Sequence, residues 1–163
     1  MASRDSNIPI IFVGIIIIIL TAVPLILTTE KVKSETYDYK VKQVGVVSYE
    51  TYEDEDGNTY LTCNQVVSEL GNRLHNELDR DSKLNICKIV WISVNEFETL
   101  EKCTILSKYN NSGTLVDYYK FEIEQQNFKV LNLRNVSRSE YYGNLEYYYP
   151  KIMSLGELEV YYR

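Results

Sequence analysis

The sequence predicts an α+β fold: one N-terminal transmembrane helix followed by a small, mostly antiparallel β-sheet domain with one main amphipathic helix. Three observations lead there. Residues 8–27, IPIIFVGIIIIILTAVPLIL, carry no charge. Several stretches after residue 36 alternate apolar and polar side chains with strand periodicity, and Val67, Leu70, Leu74 and Leu78 recur at helical spacing. The implied organisation is a polar tail at 1–7, a signal-anchor helix at 8–28, a juxtamembrane linker at 29–36 and a single globular domain at 37–163.

The anchor is read from length and from the absence of polar groups. Twenty helical residues rise roughly 30 Å, the thickness of a bilayer's hydrocarbon core, and a helix satisfies its own backbone where no water is present. Five consecutive isoleucines, Ile15 to Ile19, leave no polar face for a soluble helix to show to water. A cleaved signal peptide fits less well, because the exit Leu27-Thr28-Thr29-Glu30 lacks the small-x-small cleavage pattern. Pro24 withholds a hydrogen bond from Leu20 and predicts a kink.

Orientation is nearly balanced. Lys31, Lys33, Lys40 and Lys42 come after the anchor and Arg4 precedes it, so a literal count of basic residues places the domain in the cytoplasm. N-terminal signal-anchors more often export the domain on their C-terminal side, and on that ground the expectation is an extracytoplasmic domain.

The formal charge of −6 argues against a polyanionic partner, because nucleic-acid binding needs a basic face. Fifteen tyrosines suit half-buried sheet positions and contact surfaces. Cys63, Cys87 and Cys103 make an odd set with no zinc-ligand spacing. They read either as reduced core residues or as one disulfide plus a free thiol, with Cys87 and Cys103 the candidate pair.

Along the domain, alternation from Tyr37 through Thr51 predicts a long bent strand with a bulge at Gly45. The acidic stretch Glu53 to Asn58, containing Asp56-Gly57, predicts a turn, with Thr59-Tyr60-Leu61 as the returning hairpin arm. Its carboxylates miss the calcium-loop pattern, since the twelfth position from Asp54 is Gln65 rather than glutamate. Thr62 and Gln65 fit a capping box, so the main helix is expected from Thr62 to about Arg80, with Gly71 beside its apolar stripe.

Residues 85–94 are apolar on both faces and predict a central strand with Trp91 in the core. Ser93 to Glu98 offers a cap for a short helical turn through Phe97 and Leu100, before Cys103-Thr104-Ile105-Leu106. Residues 110–113 predict a turn and 114–124 a strand with Leu115, Tyr119, Phe121 and Ile123 inward. Gln125 to Asn127 joins it to 128–133 as a hairpin. A tyrosine-rich loop at 141–149, stopped by Pro150, precedes a last strand through Leu158, Val160 and Tyr162.

No catalytic constellation emerges. His75 is the only histidine and has no ligand or triad partner at useful spacing; no GxSxG or phosphate-binding glycine loop occurs, and Glu122 with Glu124 reads as a solvated strand face. Catalytic, cofactor-binding and metal residues are therefore assigned as none, and no cofactor is expected. Sequons at Asn110 and Asn135 are candidate glycosylation sites. Tyr142-Gly-Asn-Leu145 and Tyr149-Pro-Lys-Ile152 have the form of short sorting peptides if extended.

The expected function is a non-enzymatic, single-pass membrane-anchored assembly or protein-binding subunit. Its partners are the lipid bilayer and other membrane or extracytoplasmic proteins, with no nucleic acid. Tyr141, Tyr142, Tyr147, Tyr148 and Tyr149 are the candidate contacts. Two other readings fit the same plan: a viral envelope protein or part of the complex through which a virus enters a cell, and a membrane-bound enzyme of unknown class.

Overall fold

The computed structural model describes residues 37–67 and 75–161. The chain divides into two units, Met1–Thr36 and Tyr37–Arg163, and every described residue belongs to the second. The polar tail, the anchor at 8–28 with Pro24, the linker at 29–36, and Leu70, Gly71 and Leu74 lie outside the described residues. Among the described residues no helix is long and apolar enough to cross a membrane.

The fold is mixed α+β. A five-stranded sheet has the order β1-β2-β3-β4-β5, formed by β1 (Val46–Glu53), β2 (Thr59–Val67), β3 (Leu100–Asn111), β4 (Thr114–Glu124) and β5 (Glu157–Val160). Every pairing is antiparallel except β2 with β3, which is parallel. The parallel pair is joined through α2 (His75–Glu96), so β2-α2-β3 is one crossover unit. A short helix α1 (residues 37–42) precedes β1, and α3 (Gln125–Val130), a 3-10 turn (Leu133–Asn135), α4 (Arg138–Gly143) and α5 (Leu145–Leu155) lie between β4 and β5.

Strand periodicity is clearest in β2, where Thr59, Leu61, Cys63, Gln65 and Val67 are buried and alternate with half-exposed Tyr60, Thr62, Asn64 and Val66. The β3–β4 hairpin turns through Ser112 and Gly113, both at positive φ (50° and 91°), as a two-residue primed turn requires. At the β1–β2 turn, Asp54 Oδ1 accepts from the Asp56 and Asn58 backbone N–H groups, and Oδ2 accepts from Asn58 Nδ2 and the Tyr60 hydroxyl. Those bonds, Asn58's first, hold the Asp54 carboxyl below its usual range. The acidic turn is thus organised around one carboxylate.

Several expectations are corrected. The strand expected from Tyr37 is helix α1 and a turn, with Gly45 (φ +86°) in the turn and the bulge coming later, between Val46 and Ser48. Thr62 opens no helix: residues 62–67 complete β2, because alternate burial between β1 and β3 outweighs a capping-box pattern. Residues 85–94 are the inner half of α2 and not a strand, and the cap read at Ser93 is part of the same helix. Ile86, Cys87, Ile89, Val90, Trp91, Ile92, Ser93 and Val94 are all buried. This half of α2 meets β3 as well as α5 and the 3-10 turn, so it carries no wet face, and sequence periodicity alone does not separate it from a buried strand.

The hairpin expected at 125–133 is α3 and the 3-10 turn, and Leu115 is exposed rather than inward. Strand β4 has the bounds expected, Tyr119, Phe121 and Ile123 face inward, and Trp91 is in the core.

Candidate partner-contact surface

The tyrosine-rich segment is helical. Ser137 Oγ accepts from the Glu140 backbone N–H and caps α4, and Asn144 links the helices by donating its N–H to Glu140 O and Tyr141 O and accepting from Tyr147 N–H. Pro150 sits inside α5 rather than ending it, and costs the Glu146 carbonyl its intrahelical donor. The expected loop at 141–149 is corrected to two helices, and so are the two sorting-peptide readings. Neither segment is extended, and Ile152, the last position of one, is fully buried.

Helical geometry sorts the five candidate tyrosines by face. Tyr141 is fully buried: its ring stacks on Trp91 (5.6 Å between centroids, 21° between planes) and packs on Tyr148 (4.8 Å), and its hydroxyl donates to Cys87 O at 2.8 Å. Burial pushes that phenol's pKa far up. Tyr148 is buried as well. These two are core residues and not partner contacts, because the Tyr141 ring lies against Trp91 of α2 and Tyr148 packs on Tyr141 beneath the helix surface.

Tyr142 and Tyr149 are half-buried against the core, and Tyr147 is 58% exposed. Lys151 Nζ lies 3.6 Å above the Tyr147 ring centre and the Arg138 guanidinium 5.3 Å from that of Tyr142. Both pairs have i, i+4 spacing. Arg138 and Lys151 are absent from the sequence-derived site, and the spacing identifies them once the segment is known to be helical. Glu146, on the same helix, forms an ion pair with Arg80 of α2.

The other candidate residues stay apart from this surface. Cys87 and Cys103 form no disulfide: all three cysteines are free and buried, with Cys87 in α2 and Cys103 in β3. Burial raises the Cys63 thiol to about 11 and the Cys87 thiol to about 12. Asn110 is half-exposed at the end of β3, where its Oδ1 accepts from Gly113 N–H. Asn135 is exposed and donates to Asn132 Oδ1, while Ser137 of its sequon caps α4. His75 is the first residue of α2, and its side chain lies outside the described part of the structure. Glu122 is engaged by Lys102 (2.9 Å), Lys120 (3.1 Å) and Thr104 (3.0 Å), whereas Glu124 is exposed. Among the described residues no group of three or more His, Cys, Asp or Glu side chains is placed to hold a metal ion.

The chain matches no family model and no solved structure. Over 95 residues it is 35% identical to an uncharacterized protein of Methanocaldococcus jannaschii, an alignment that covers 58% of each chain. The chain therefore spans less than two thirds of that relative's length.

Proposed function

We propose that this chain is a non-enzymatic, single-pass membrane-anchored assembly or protein-binding subunit, with the uncharged run at 8–28 as its anchor and the domain from residue 37 outside the cytoplasm. The domain meets a partner protein through the outer faces of α4 and α5, where Tyr142 stands beside Arg138, Tyr147 stands beside Lys151, and Tyr149 is half-buried on α5. The carrying observation is Tyr147: a large ring, 58% exposed and covered on one side by Lys151, on a helix whose opposite face buries Tyr148 and Ile152. Tyrosine buries much area on binding at small rotamer cost, and a helix packed on its own core presents that ring without further ordering.

The test uses the full chain in its native membranes, with a photo-crosslinking residue in place of Tyr147 or, as control, of Val130, which is 74% exposed on α3. A discrete adduct at 147 that is missing at 130, and lost when Tyr142→Ser and Tyr149→Ser are added, supports the reading. Equal labelling at both positions refutes the contact surface. Protease protection of sealed vesicles with tags at both ends tests anchor and orientation separately: digestion of the domain from the cytoplasmic side overturns the orientation, and release of the full chain without detergent overturns the anchor.

A further inference from the structure

Residues 37–45 are attached to the domain mainly through side chains. Among the described residues, α1 makes no main-chain hydrogen bond to another element. The first such link is Val66 N–H to Gly45 O at 2.9 Å, where the segment ends. Before that point the attachment is through side chains: Tyr37, Val41 and Val44 are buried, and Lys40 forms an ion pair with Glu96. Gly45 has φ +86°, and a Cβ there would lie 3.3 Å from Val66 O, so the turn that carries α1 away from β1 is built for glycine. A six-residue helix docked by a few side chains opens at lower cost than the sheet and the long helix beneath it.

Tyr37 is the clasp. Its ring lies edge-on to Tyr49 (4.8 Å) and Phe97 (4.9 Å), and its hydroxyl is 2.9 Å from Ser93 Oγ and 3.3 Å from Cys63 Sγ. Ser93 spends its own proton on Ile89 O at 2.8 Å, so the Tyr37 hydroxyl donates to Ser93 and receives from the Cys63 thiol. The chain from Cys63 to Tyr37 to Ser93 to the α2 backbone is satisfied only while α1 is docked. Cys87 is sealed from the other side of α2, beneath α4, with its carbonyl capped by Tyr141.

We propose that residues 37–45 are a strap that opens as a unit about Gly45, unsealing the Cys63 thiol and a socket walled by Tyr49, Phe97 and Ser93 while the sheet and α2 remain folded. This places a two-state element at the start of the second unit. The proposal goes beyond the contact surface on α4 and α5 and does not depend on it.

A maleimide pulse on the full chain under native conditions, with peptide mass spectrometry to locate adducts, reads the opening directly. Cys63 is expected to react at least tenfold faster than Cys87, with little dependence on low denaturant. Tyr37→Phe keeps the ring and removes both hydroxyl interactions, so it accelerates Cys63 by about tenfold and leaves Cys87 unchanged. Lys40→Ala, which cuts the ion pair to Glu96 without entering the core, gives the same selective acceleration in smaller degree. Equal rates with equal denaturant dependence at Cys63 and Cys87, or variants that speed both together, would mean that the thiols are exposed only by global unfolding and would overturn the strap.

Discussion

The Tyr141 hydroxyl donates to the main-chain carbonyl of Cys87 at 2.8 Å, tying α4 to the half of α2 that has no wet face. Tyr141→Phe keeps the stacking on Trp91 and loses one buried hydrogen bond, which costs about 1 kcal/mol. Tyr141→Ala removes the ring and costs about 3–5 kcal/mol. Tyr147→Ala, on the exposed face of α5, stays within about 0.5 kcal/mol of the parent. Denaturant midpoints at constant slope check the series, and similar losses at 141 and 147 would contradict the assignment of faces.

Gly156 makes a different demand at the junction of α5 and β5. A Cβ at this position would overlap the edge of the Phe121 ring and lie 2.8 Å from Glu122 O. Phe121 is fully buried in β4 and has nowhere to retreat, and the Gly156 φ of −98° means that sterics alone impose the glycine. Gly156→Ala should therefore destabilise by about 1–3 kcal/mol. Gly143→Ala, with open space around its Cβ, should be neutral or stabilising by up to about 1 kcal/mol. Thermal unfolding of the two variants side by side separates crowding from any general intolerance of substitution.

The same packing decides how much of the fold is legible in the sequence. Strand β4 and its hairpin are readable because one face is dry and the other wet, and because Ser112-Gly113 supplies the positive φ values of a tight turn. The inner half of α2 is not readable: Ile86 to Val94 is covered by the sheet on one side and by α5 and the 3-10 turn on the other, which erases the 3.6-residue period. The misreading at Thr62 is tied to that one, since a helix placed too early leaves 85–94 free to read as a strand. Tyr141 to Tyr149 misleads for another reason. A run of tyrosines with a proline resembles an exposed loop, yet Tyr141 and Tyr148 turn inward from their helices, and Pro150 is accommodated within α5. Tyrosine content indicates contact; only backbone conformation separates contact with the core from contact with a partner.

The cluster on β3 and β4 predicts the pH profile of stability. Glu122 is partly buried, which alone would raise its pKa, but hydrogen bonds from Lys102, Lys120 and Thr104 outweigh burial and hold it below its usual value. A carboxylate with a lowered folded-state pKa contributes stability that is present above its unfolded pKa of about 4.3 and is lost as pH falls through the folded value. Lys120 is raised, by its bond to Glu122 first, so its contribution is present below the unfolded lysine pKa and fades as pH climbs through the folded one. Glu122→Gln should lower stability at neutral pH, flatten the decline on the acid side, and shrink the alkaline one assigned to Lys120, which Tyr161 and Glu159 also raise. Urea unfolding from pH 3 to 11 measures all three, and an unchanged acid flank would refute the role of Glu122.

Gln65 presents the opposite case, a polar group whose removal should help. It lies on the inner face of β2 at 1% exposure, and neither amide atom has a hydrogen-bond partner among the described residues. Its register neighbours are Val46 on β1 and Ser107 on β3, and Ser107, equally buried, is paired with Ser82 Oγ at 3.0 Å. A buried amide without partners carries the full desolvation cost of a donor and an acceptor, about 1–3 kcal/mol. Gln65→Met fills nearly the same volume without those atoms and should raise stability by that amount. Ser107→Ala, one strand away, breaks a satisfied pair, leaves the Ser82 hydroxyl buried, and should lower stability by about 1 kcal/mol. Two substitutions toward apolar side chains in neighbouring positions should thus move the denaturant midpoint in opposite directions. A fall in stability with Gln65→Met would mean that the amide is paired in solution, with an internal water or with chain outside the described residues.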